Sequence, residues 1–328
     1  MSTPAQLREA QEVTRLFQAA IAAEGGKAAI EALADWRGEP ANWTGPQATA
    51  WINRAVRRVL ARRAVSRELG IAYYRLVRAL ALGVTVPRPG VSEAGVTLGD
   101  LRRAFEAAAD AKVPANFRAP DVAIEVDPSL DSVLAENDAA EREARSEAQT
   151  VLYAHGPRSL AKKLAALQEE IRRNEAKPAV EVDAARDKAH RESGARASAA
   201  EGRMAMNGAR GVVFDAINAD PKALGWARVS DGDPCYFCAM LLSRGFVYKS
   251  ESSATFDDGD LYHDNCQCSA VPVFSVEQYK NDPQFDANRR YKAAWKDHKN
   301  DWRGFINAER RAARSSGQPT ETAQEASE

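Results

Sequence analysis

Apolar residues recur at three- and four-residue steps along most of this chain, so the pattern predicts a mainly helical protein. Residues 5–24 are rich in Ala, Leu, Gln and Glu, and Gly25-Gly26 reads as a helix stop. A second helix is expected up to Trp36, before Gly38, Glu39 and Pro40 break the chain. The strongest periodicity lies in residues 47–82, through Ile52, Val56, Val59, Leu69, Tyr73, Leu76 and Leu80, with a join near Gly70. A helix over 98–111 would bury Leu101 and Phe105, and prolines at 114, 120 and 128 mark a connector. Long helices follow at 158–176 and 180–218, the second open to interruption at Gly194, Gly202 and Gly208.

Near residue 226 the texture changes. Residues 226–229 and 269–274 read as short strands with turn-rich sequence between them. A helical pattern returns at 286–314, where Tyr291, Trp295, Trp302 and Phe305 would share one face of a single helix. The fold class is therefore α+β: a helical N-terminal arm and further helices, with a small metal- or disulfide-stapled, β-containing module near the C-terminus. The expected divisions are a helical N-terminal domain (1–115), an acidic proline-containing linker (116–150) and a second domain (151–314). That second domain holds helices over 158–218, the Cys/His module at 226–274 and the helix at 286–314. A disordered tail (315–328) would follow.

Charge adds one feature that the total conceals. The chain of 328 residues has 45 basic and 46 acidic residues, a formal net charge of -1, which excludes a histone-like polycation. Yet in residues 47–82 eight arginines face Glu68 alone, leaving +7, while residues 121–150 carry nine acids against two arginines, leaving -7. Residues 277–314 carry ten bases against six acids, so the aromatic face there either packs on the chain's own helical body, anchors a partner or meets DNA. No run approaches the roughly 18 apolar residues of a membrane helix, and the N-terminus lacks the order of a secretory signal.

All four cysteines fall between Cys235 and Cys268. Cys235-Tyr-Phe-Cys238 is followed after 24 residues by His263-Asp-Asn-Cys266-Gln-Cys268. Zinc takes four tetrahedral sulfur or nitrogen ligands, often as two close pairs separated by a loop. Cys235, Cys238, His263 and Cys266 make the simplest set, with Cys268 a spare thiol, and an all-cysteine site is the other arrangement. Two disulfides, or four free buried thiols, are the readings without a metal. Five candidate ligands crowd the site, so a structural zinc fits better than a catalytic one, which needs an open position. There is no G-x-S-x-G, H-E-x-x-H, Walker A loop or G-x-G-x-x-G, and no catalytic or small-molecule site is expected. His155, His190 and His298 read as solvated. Asp231 and Asp233 read as turn formers around Gly232.

The run from Trp226 to Cys238, the His263-Asp-Asn-Cys266-Gln-Cys268 segment and Pro272 together resemble the phage Mu F-like minor head proteins. The preceding helix with Arg196, Glu201, Asn207 and Arg210 is similar to that family's lead-in, and the match covers roughly residues 185–275. Residues 72–80 and the Trp/Arg-rich C-terminal segment are similar to members from phages of actinobacteria. The resemblance implies a minor capsid, head morphogenesis protein acting in procapsid assembly. Its implied partners are portal, capsid and scaffold proteins and packaged DNA, with no membrane. It would be made in the host cytoplasm and end in the virion, in the head interior or near the portal. Some relatives carry the label of capsid maturation protease, the one enzymatic activity implied; no protease triad or dyad is visible here.

Overall fold

Thr3 starts helix α1 (Pro4–Arg37): its hydroxyl accepts from the Gln6 N–H, and the Gln6 side chain accepts from the Thr3 N–H. The computed structural model describes residues 2–41, 43, 45–91, 95–135, 138–173, 178–230, 234, 236–248, 266, 268–298 and 301–315. It is a mainly helical α+β fold. The chain continues through α2 (Gly45–Leu82), β1 (Val84–Thr85), α3 (Leu98–Ala109), β2 (Glu125–Val126), α4 (Asp138–Tyr153), α5 (Ser159–Arg173) and α6 (Ala179–Ala219). Then come β3 (Gly225–Val229), α7 (Tyr236–Ser243), β4 (Phe246–Tyr248), β5 (Ser269–Val273), α8 (Val276–Asn281), α9 (Asp286–Asp297) and α10 (Trp302–Ser315).

The expected helix breaks at glycine are absent. Helix α1 runs straight through Gly25-Gly26, α2 through Gly70, and α6 through all three of its suspect glycines. These positions are crossings. A Cβ at Gly25 would stand 2.6 Å from Met206 Sδ and 3.1 Å from the Gly202 carbonyl oxygen, and one at Gly70 would stand 2.7 Å from the Ala209 carbonyl oxygen. Gly194 lies against the Trp36 ring, and Gly208 against the Arg63 backbone. Missing side chains let α1 and α2 approach α6 closely, so glycine here serves packing instead of termination.

One apolar core draws Phe17 and Ile21 from α1, Leu69 and Tyr73 from α2, Leu101 and Phe105 from α3, Val213 and Ile217 from α6, and Trp226 and Ala270 from the sheet. A second cluster joins Trp36, Trp51, Ala148, Leu152 and Leu160. The acidic stretch expected as linker thus contains α4, whose Ala144, Ala148 and Leu152 recur at helical spacing and are buried. A π-helical turn at Ala154–Arg158 with Gly156 and Pro157 leads into α5.

The basic segment is spent inside the molecule. On α2, Arg54 and Arg58 pair with Asp35, Arg58 binds Glu201 through two 2.8 Å bonds, and Arg62 reaches Glu24 and Glu31. Arg78 is buried against Asp220, which also accepts from Tyr74 at 2.8 Å. Arg63, Arg67 and Arg75 donate to backbone carbonyls. Arg54, Arg58, Arg62 and Arg78 therefore neutralise carboxylates, and Arg63, Arg67 and Arg75 hydrogen-bond to neutral carbonyls, leaving Arg57 exposed among these arginines.

Strands β4, β3 and β5 form an antiparallel sheet with β3 in the centre. Pro272 sits on the edge strand β5 opposite Trp226, where its missing N–H costs no ladder bond. Trp226 packs edge-on against Phe214 of α6 at 5.7 Å, while Ala227, Val271 and Phe285 fill the other face. The expected C-terminal helix is two helices. Asp301 Oδ1 accepts from the Arg303 N–H, so the aspartate caps α10 and restarts the chain in a new direction.

Candidate metal centre

Cys238 lies in the first turn of α7, and Cys266 and Cys268 stand at alternate positions just before β5, so both project to one side. Their sulfurs, with that of Cys238, all lie within 4.8 Å of one another, and all three residues are 2–3% exposed. Cys268 lies in the cluster as closely as Cys266. Cys235 and His263 lie outside the described residues, as do Asp231 and Asp233.

The geometry suits a metal. A tetrahedral zinc with Zn–S bonds of about 2.3 Å has S···S edges of about 3.8 Å. Cys238 Sγ and Cys266 Sγ are 3.7 Å apart, and the three described cysteines are not bonded to one another. In a shell this tight the Cys268 thiol resists ionisation. The Cys268 thiol is pushed up to about 12: hydrogen bonding with Cys238 and the charge of Arg228 pull it down, but contact with Cys266 and burial outweigh them. A divalent cation reverses that balance, because it turns mutual repulsion of thiolates into shared coordination. Three buried cysteines this close can bind a metal.

Ala239 and Leu242 of α7, Tyr291 and Trp295 of α9 and Phe305 and Ile306 of α10 pack around the sulfurs. Trp295 meets Phe305 edge-on at 5.4 Å. Tyr291, Trp295 and Phe305 therefore form the lining of this module instead of an exposed anchor; the Trp302 side chain lies outside what is described. Hydrogen bonds tie the module to the helical body: Gln18 Nε2 donates to the Val229 carbonyl and to Ser269 Oγ, and Gln11 Nε2 donates to Asp282 at 2.7 Å. Arg210 of α6 donates to the Cys266 carbonyl.

Of the histidines expected in solvent, His190 is instead packed. Its ring stands 5.3 Å from Trp36, its Nε2 is buried without a partner among the described residues, and burial lowers its pKa. His298 is half-buried, 5.8 Å from Phe305. Alternation of charge along a helix could not reveal the His190 contact, since Trp36 comes from distant sequence, nor that of His298, whose partner lies beyond a helix break.

Residues 141–294 match the VG15 protein family. The Gene 15 protein of Mycobacterium phage L5 is 30% identical over 125 residues, an alignment covering 26% of this chain and 42% of that relative. The chain thus spans less than half the length of the curated relative it matches. No solved structure matches. The two similarities indicate a phage protein, of the phages that infect actinobacteria. No helix among the described residues is long and apolar enough to cross a membrane.

Proposed function

We propose that this chain is a minor head protein of an actinobacterial phage, acting in head morphogenesis as a structural component of the procapsid. Its module at 226–274 is held by a zinc ion on Cys238, Cys266, Cys268 and either Cys235 or His263. The observation that carries the reading is the buried thiol cluster inside the segment of phage similarity. A buried thiol cluster among aromatic side chains suits a structural metal, whose service is to hold a small polar module. When bound, zinc would supply cross-linking of α7 to the chain before β5. The partners that fit this role are portal, capsid and scaffold proteins, with packaged DNA a further contact; the destination is the virion.

The decisive experiment is mass spectrometry of purified procapsids and virions. The chain is expected in both, in few copies per particle. Its absence from both would remove the proposal. A maturation protease is the competing role, and Cys266→Ser separates the two. A staple mutant is expected to lose the fold of the module, whereas a protease mutant would stay folded and lose cleavage of head proteins.

A further inference from the structure

The sulfurs that stand close enough to share a metal also stand close enough to react with one another. Cys238 Sγ and Cys266 Sγ are 3.7 Å apart across 28 positions of sequence, and neither is in a disulfide. A disulfide bond is about 2.0 Å long, so the pair has to close by about 1.7 Å. Cys266 and Cys268 are poorly placed to bond to each other. They occupy alternate positions of the chain just before β5. In extended chain such positions lie about 6.6 Å apart at Cα, at the far end of the range that a disulfide spans, with side chains parallel. Cys268 is also followed directly by Ser269, which is held in the ladder opposite Val229. Cys266 stands two residues further out from that ladder and nearest the first turn of α7 through Cys238. All three cysteines are buried, so an oxidant that reaches them must be small.

Resting on the metal reading above, we propose that Cys238 and Cys266 are an oxidative modification site, joined as a disulfide by a peroxide when the centre gives up its metal. One sulfur attacks a peroxide oxygen, the O–O bond breaks, and a sulfenic acid and one water form. The second sulfur then attacks the sulfenic sulfur, the S–O bond breaks, and the S–S bond forms. The two thiol protons leave with the two peroxide oxygens as two waters, and the two electrons lost by the sulfurs reduce the peroxide. Cys268 stays a thiol. The cross-link spans the same two elements as the metal, α7 and the chain before β5, and closes a loop long enough to constrain the unfolded chain. Thiols are kept reduced in a cytoplasm and oxidise outside the cell. A chain that is made in the first and carried into the second thus keeps its module stapled in both.

The test uses the full-length chain, purified reduced and loaded with zinc. Hydrogen peroxide is added in the presence of a chromophoric chelator, which reads the metal released. Remaining thiols are alkylated after denaturation, and peptides are mapped by mass spectrometry without reduction. The expected result is zinc release in step with a Cys238–Cys266 link, with Cys268 recovered alkylated. Amide exchange then asks whether the link replaces the metal. Metal-free oxidised protein is expected to keep α7, α9 and α10 protected, whereas metal-free reduced protein loses that protection. Adding a thiol reductant to the oxidised form, with the chelator present, should reproduce the loss. A main product joining Cys238 to Cys235 or to Cys268, or Cys266 to Cys268, would overturn the assigned pair. Sulfinic acids without any cross-link would overturn it too. A Cys238–Cys266 link that leaves the three helices unprotected would overturn its role as a staple. A reduced chain that binds no zinc would overturn the metal reading instead, and its peptide map after peroxide would still decide the disulfide.

Discussion

Gly208 and Gly211 stand three positions apart on α6, yet alanine should act on them with opposite sign. A Cβ at Gly208 would run into the Arg63 carbonyl oxygen and Ser66 Oγ of α2, and backbone cannot step aside. Gly208→Ala is expected to cost about 1–3 kcal/mol by overpacking. At Gly211 nothing lies within 4 Å of the added carbon, so Gly211→Ala is expected to gain about 0.5–1 kcal/mol from helix propensity and a stiffer unfolded chain. Urea unfolding of both variants is the check; shifts of the same sign would refute the crossing. Glu201 offers a second test at this scale. Burial pushes its carboxyl up to about 7, against the hydrogen bonds and charge of Arg58. The folded chain therefore holds this proton more tightly than the unfolded chain does. Its contribution to stability is full below the usual carboxylate range and is lost as pH rises towards 7. Glu201→Gln should flatten that fall, by about 1–3 kcal/mol between pH 4.5 and 7.5. An identical pH slope in native and variant unfolding midpoints would show that Glu201 does not titrate in this window.

Among elements, the part of the molecule that depends on the thiols is α7, α9 and α10, because their side chains line the cluster. A chelator applied to metal-loaded protein should raise amide exchange in these three helices and leave α1, α2 and α6 protected. Uniform deprotection, or none, would show that the cluster is not a local staple. The sequence foreshadows this module well: four cysteines in one short segment, paired spacing and two flanking strands all point to local cross-linking. It misleads over the helix that carries the next aromatic residues, although packing on the chain's own body is among its readings of them. Tyr291, Trp295 and Phe305 keep a helical period across the break at Asp301, so the pattern reads as one amphipathic helix. The capping aspartate that folds α10 back onto α7 is a single polar residue among many. The glycines mislead for a related reason. Glycine ends a helix or lets another helix come close, and only the partner helix, more than a hundred residues away for Gly25 and Gly70, tells which.

At the scale of the whole molecule, α6 is the axis: α1, α2, α4 and α5 all pack on it, and the buried joint of Arg78, Tyr74 and Asp220 closes its C-terminal end onto α2. Pattern and charge along the sequence suggest an N-terminal domain over 1–115 with a free basic helix. In the fold the arginines of α2 answer acids on α1 and α6, and Leu69, Tyr73 and Leu76 share a core with Val213 and Ile217. Long-range pairing of this kind is invisible to a local reading, because each helix looks amphipathic whichever neighbour it meets. The expected outcome is that residues 1–115 expressed alone show no cooperative unfolding, since their apolar faces lack α6. In the full chain, Asp220→Ala should cost about 3–5 kcal/mol by stranding the buried Arg78. That loss should appear equally in probes placed on α2 and on α6, with one shared urea midpoint, because the joint belongs to both. A fragment 1–115 that unfolds cooperatively would show an independent domain. Separate midpoints for α2 and α6 in the variant would show that the joint between them is peripheral.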